Sequence, residues 1–81
     1  MTKLPRNVSG TQLAQALTKL EYETVRQRGS HLTVRTIHSG QHTLHIPLHR
    51  SLKPGMLGLL LSQIQQHFDL SRDELLGILD L

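Results

Sequence analysis

Eighty-one residues with a formal net charge of +3 suffice for a single modest core and not for two independently stable units, so one domain over 1–81 is expected. The chain has no cysteine, which excludes disulfides and thiolate catalysis, and no apolar run approaches the roughly 18 residues of a membrane span. One Tyr, one Phe and no Trp leave almost nothing for stacking bases on aromatic rings, and the start lacks the apolar stretch of a signal peptide, so the cytoplasm is the default location.

Ser9 is placed as an N-cap, with Gln12 three residues on as its capping-box partner and Val8 and Leu13 as a hydrophobic staple. A helix to about Leu20 follows, with Leu13, Ala16, Leu17 and Leu20 on one apolar face. The segments near 22–28 and 31–37 alternate and contain β-branched residues, which predicts two paired strands. Between them lies Gly29-Ser30, a glycine-first dipeptide suited to a type II′ turn. Ser39-Gly40-Gln41 reads as a three-residue loop into a third strand, where Leu44, Ile46 and Leu48 alternate with His45, Pro47 and His49; Pro47 marks an edge or an end.

Pro54 opens the principal helix, in which Leu57, Leu60, Leu61, Ile64 and Phe68 recur at helical spacing. Met56 and Leu59 fall off that stripe. Contact with a last helix covers them in one reading, and a partner surface in the other. Leu70, Ser71, Glu74 and Leu75 repeat the staple and capping box, so a short helix runs to about Leu79. The order α-β-β-β-α-α predicts an α+β fold, a three-stranded antiparallel sheet with the helices on one face.

Register can be read from which pairing brings the apolar residues together, because a one-residue slip exchanges the two faces. With Arg28 opposite His31, Val25 faces Val34; with His38 opposite His42, Val34 faces Ile46 and Leu32 faces Leu48. One face then holds Val25, Leu32, Val34, Leu44, Ile46 and Leu48. The other gathers Arg26, Arg28, His31, Thr33, Arg35, His45 and His49, with Thr24 near Arg35. The chain's charge falls the same way. Eight Lys and Arg stand against two acids through Lys53, and one Arg against four acids from Pro54 onward. This implies a polyanion-facing surface, with nucleic acid the leading candidate and a solvated basic face the plain alternative.

Histidine titrates at about 6.5 and can take and return a proton at neutral pH. In RNA, a base that removes the 2′-hydroxyl proton lets that oxygen attack the adjacent phosphorus, and arginines stabilise the charge that grows on the phosphoryl oxygens. His31 beside Arg28 suits that role, or is only a polar strand residue. His45 and His49 are placed to assist it as acid or phosphate contact, or do nothing but face solvent. A metal site is not expected: His42 and His45 face opposite sides, His45 and His49 stand about 13 Å apart, and no HExxH is present. His38 reads as a loop residue and His67 as a solvated helix residue.

Four pieces of the sequence carry a resemblance over almost its full length. They are Leu4-Pro5-Arg6 followed by Ser9-Gly10; Val25-Arg26-Gln27-Arg28-Gly29-Ser30-His31; Ile46-Pro47-Leu48-His49 with Leu52-Lys53-Pro54-Gly55-Met56-Leu57; and Leu70-Ser71 with Glu74-Leu75. In order and spacing they resemble the HicA toxin family, the small RNA-cleaving halves of HicA–HicB toxin–antitoxin pairs. The resemblance implies a fold like a double-stranded-RNA-binding domain. It implies an endoribonuclease that cleaves mRNA without metal or other cofactor through the histidine of the Gly-Ser-His motif, here His31, and a HicB-type antitoxin that covers this surface. RNA contacts are then expected from Arg26, Arg28 and Arg35, from Lys3 and Arg6 of the amino-terminal arm, and from His45 and His49. A non-catalytic RNA-binding module of the same fold and a module for an acidic protein partner are the competing expectations.

Overall fold

The computed structural model describes residues 4–81. Helix α1 (Gly10–Leu17) runs into a single 3₁₀ turn (Thr18–Leu20). Strands β1 (Glu23–Arg28), β2 (His31–Thr36) and β3 (His42–Pro47) follow, and then helices α2 (Pro54–Phe68) and α3 (Arg72–Leu79). The strands form one antiparallel sheet in the order β1-β2-β3, so the fold is α+β with the expected element order.

Both capping boxes form. The Ser9 hydroxyl accepts from the Gln12 N–H at 3.0 Å while Gln12 Oε1 accepts from the Ser9 N–H at 2.9 Å, and Ser71 and Glu74 repeat the exchange at 3.1 and 2.9 Å. Each box satisfies two backbone donors that a helix start leaves without partners. Pro54 occupies the first turn of α2, where its missing N–H costs nothing. One hydrophobic core joins Leu13 and Leu17 of α1, Val34, Leu44 and Ile46 of the sheet, Leu57, Leu61 and Ile64 of α2, and Leu75 and Leu79 of α3. Met56 and Leu59 are not covered by α3: they remain 39% and 54% exposed.

The expected pairing of Val25 with Val34 does not form. Arg28 pairs with His31, Gln27 with Leu32 and Arg26 with Thr33, but Thr24 then pairs with Val34, leaving Val25 as the extra residue of a β-bulge and 47% exposed. The physical reason lies at the start of β1. In an unbroken register Tyr22 would sit on the outer face; one inserted residue exchanges the faces beyond it and turns Tyr22 inward. Tyr22 is buried. An aromatic ring buries more surface than the valine it displaces, so the bulge is favoured.

The second hairpin is displaced by two residues from its expected register. Thr36 pairs with His42, Val34 with Leu44 and Leu32 with Ile46, around a five-residue loop over 37–41. A shift of two preserves the faces, so the apolar residues of β2 and β3 still point to the core. The loop is closed by contacts outside the ladder. Thr36 Oγ1 donates to the Leu20 carbonyl at 3.0 Å and accepts the His38 N–H at 3.1 Å, while His67 Nε2 lies 3.0 Å from the carbonyls of both His38 and Gly40. Carbonyls only accept, so Nε2 carries the hydrogen. His67 is therefore a clasp on this loop, not merely a solvated helix residue.

Candidate nucleic-acid interface

The first hairpin turns at Gly29, whose φ of 58° is open to glycine, while Ser30 keeps the negative φ that a two-residue glycine-first turn requires. That turn sets Arg28 directly opposite His31. On the far side of His31, across β2 and β3, stands Pro47. The next outward-facing row, reading across the sheet, is Arg26, Thr33 and His45, and the third is Glu23, Arg35 and Thr43. Alternation along β2 buries Leu32, Val34 and Thr36 and leaves His31 and Arg35 exposed.

Within this lattice Arg28 is the direct neighbour of His31, and Arg26 and His45 are its diagonal neighbours in the adjacent row. Diagonal neighbours in an antiparallel sheet lie about 7–8 Å apart, within reach of long side chains. His45 Nδ1 is 3.2 Å from Thr33 Oγ1, a contact that holds the ring over β2. Arg35 is one row further from His31, and Glu23 faces it. Arg26, Arg28, His31, Arg35 and His45 are all exposed, and none of these side chains is buried by α1, α2 or α3.

The remaining expected contacts are placed apart. His49 lies two residues beyond the end of β3; the Leu48 N–H donates to the Ser30 carbonyl at 2.7 Å and keeps this exit beside the first hairpin turn, and the His49 carbonyl accepts the Gly10 N–H at 3.0 Å, tying it to the start of α1. Arg6 is exposed and lines a cleft of about 590 Å³ with Asn7, Ser51 and Pro54, off the sheet face. Lys3 lies outside the described residues. Among the described residues no three His, Cys, Asp or Glu side chains are grouped so as to hold a metal ion, and no helix is long and apolar enough to cross a membrane.

At the opposite end of the strands is a cluster that pattern reading misses. The Tyr22 hydroxyl and His42 Nδ1 share a hydrogen bond at 2.6 Å, and the His42 ring stacks on that of His67 with centroids 4.6 Å apart. Burial, with the nearby His67 second, lowers the His42 pKa from its ordinary value, and burial raises that of Tyr22. Burial thus favours the neutral form of each. The signal in the sequence is Tyr22 itself, which becomes inward-facing only if β1 is bulged.

The family model of the HicA toxin of bacterial toxin–antitoxin systems matches residues 10–66, a span that runs from the first residue of α1 through the sheet to near the end of α2. None of the curated proteins and none of the solved structures matches the chain. With more than half its length under the family model, the chain belongs to the HicA toxin family.

Proposed function

We propose that this toxin is a metal-independent endoribonuclease that cleaves mRNA in the cytoplasm, with His31 as the proton-transferring group and Arg28 and Arg26 as the phosphate contacts. The observation that carries the reading is the pairing of Arg28 with His31 beside the two-residue turn of the first hairpin, on a sheet face that no helix covers. A guanidinium offers a fork of N–H donors suited to two phosphoryl oxygens, and its charge opposes the negative charge that grows as a nucleophile attacks phosphorus. His31, directly across the hairpin, takes the proton of the 2′-hydroxyl that becomes the nucleophile. The 2′ oxygen bonds to phosphorus, the bond to the 5′ oxygen of the next nucleotide breaks, and a 2′,3′-cyclic phosphate remains on the upstream fragment.

A single strand suits this face best, because an unpaired backbone is free to turn its 2′ oxygen into line with the leaving group. Arg35 serves as a more distant contact, since Glu23 faces it. A HicB-type antitoxin that silences the enzyme would lay acidic side chains over the same arginines.

The test is incubation of the purified protein with single-stranded RNA in excess chelator, beside His31→Ala. Discrete fragments in the first reaction and none in the second are expected. Intact RNA that still shifts on a gel would instead indicate a binding module that holds RNA without cutting it.

A further inference from the structure

The ribonuclease reading leaves one proton without a source. The bond to the 5′ oxygen breaks with its electron pair on oxygen, and an alkoxide is a poor leaving group unless a proton reaches it as the bond breaks. His31, having just received the 2′ proton, sits on the side of the nucleophile. A second group on the opposite side of the phosphorus is needed, because attack and departure are in line.

We infer that His45 is the general acid of this reaction, protonating the departing 5′ oxygen while His31 acts as base. The inference rests on the ribonuclease reading. Three observations bear on it. The β2–β3 register pairs His31 with Pro47 and Thr33 with His45, which makes His45 the diagonal neighbour of His31 on the same exposed face. At about 7–8 Å between diagonal positions, two imidazoles can bracket one phosphodiester. The Thr33 hydroxyl, 3.2 Å from Nδ1, fixes the His45 ring and leaves Nε2 as the nitrogen directed away from its anchor. In the imidazolium form Nδ1–H donates to Thr33 and Nε2–H is free for the substrate. Finally, His49 lies two residues beyond the end of β3, and among the described residues no hydrogen bond anchors its ring as Thr33 anchors that of His45.

The charged and titratable groups around His45 on this face are Arg26 and Arg28 from β1 and His31 and Arg35 from β2, with Glu23 one row beyond. Arg28 beside His31 and Arg26 across Thr33 from His45 supply the positive charge that draws a phosphate to this face. The proton balance closes: one leaves the 2′-hydroxyl to His31, and one leaves His45 Nε2 to the 5′ oxygen.

The experiment compares two substrates, a short single-stranded RNA and a nucleoside 3′-(4-nitrophenyl phosphate), whose phenolate departs without a proton. His45→Ala is expected to lower kcat on RNA by about 10²- to 10⁴-fold, the usual range for a general acid, while turnover of the nitrophenyl ester stays close to that of the unaltered protein. The alkaline limb of the pH–rate profile on RNA should vanish in the same variant. His31→Ala should lose both substrates. His45→Gln keeps a polar partner for Thr33 but has no acidic proton, so it should fail on RNA as His45→Ala does. Rescue by glutamine, equal losses on both substrates, or undiminished RNA cleavage would overturn the acid role while leaving the ribonuclease reading standing. An unaltered protein that cleaves neither substrate would overturn both.

Discussion

Tyr22 and His42 meet through a 2.6 Å hydrogen bond at the end of the sheet remote from His31, with the His67 ring stacked on the far side of His42. Burial lowers the His42 pKa, and a charge on His67 lowers it further. In the unfolded chain His42 titrates at its ordinary value of 6.5, so below that pH the unfolded state binds the extra proton first. Stability from this group is therefore complete above about pH 6.5 and declines as the pH falls below it. Denaturant unfolding at pH 7.5 and pH 5 should show a larger loss for the unaltered protein than for His42→Gln, which cannot titrate. Equal losses in the two proteins would mean that His42 does not feel its burial.

Gly10 and Gly77 should respond to alanine with opposite signs. A Cβ at Gly10 would run into the Pro47 carbonyl oxygen, where α1 docks against the exit of β3 and neither backbone has room to retreat. Gly10→Ala should cost about 3 kcal/mol, the upper part of the range for overpacking, with an earlier denaturation midpoint. Gly77 lies within α3 and meets nothing within 4 Å, so Gly77→Ala should add about 0.5–1 kcal/mol by removing helix-interior glycine entropy.

Helix positions and faces were legible because their signals are local. Capping boxes at Ser9 and Ser71 and the leucine spacing of α2 are complete within a few residues of sequence, and all three form. The Arg28–His31 pair was equally legible, since a two-residue turn defines it. What failed depended on remote partners. The bulge at Val25 exists because Tyr22 finds its burial and its hydrogen bond at His42, twenty residues away. The two-residue displacement of β3 reflects loop carbonyls bonded to His67 on α2, which no hairpin rule contains. That displacement brought His45 a row closer to His31 and moved His49 from directly opposite His31 to beyond the end of β3, so the neighbours of His31 changed although the faces did not.

Gly29 tests the hairpin that aligns the proposed site. Its surroundings are empty, so a side chain there meets no steric obstacle and the only cost is the positive φ. Gly29→Ala should lose about 1–2 kcal/mol of stability, and Gly29→Asn less, because asparagine visits positive φ more readily. Cleavage should fall further than stability in the alanine variant, since splaying the turn separates Arg28 from His31. Activity that follows the melting curve alone would show that the turn does no more than close the hairpin.

The three arginines should not be equivalent toward RNA, and the register ranks them. Arg28 is opposite His31 and has no acid across from it, whereas Arg35 is two rows away and faces Glu23. A lost charge-assisted hydrogen bond costs about 1.5–3 kcal/mol, which is roughly 10- to 150-fold in affinity, and Arg28→Ala should show a loss in that range. Arg35→Ala should lose less than about tenfold, because part of its field is already neutralised by Glu23. Each removed phosphate contact should also reduce the slope of log affinity against log salt by about 0.7 on single strands. Glu23→Gln completes the set: removing the negative charge opposite Arg35 should tighten binding and steepen that slope. Equal losses for Arg28→Ala and Arg35→Ala, with no gain from Glu23→Gln, would mean that RNA senses the net charge of the face and not the arrangement of its rows.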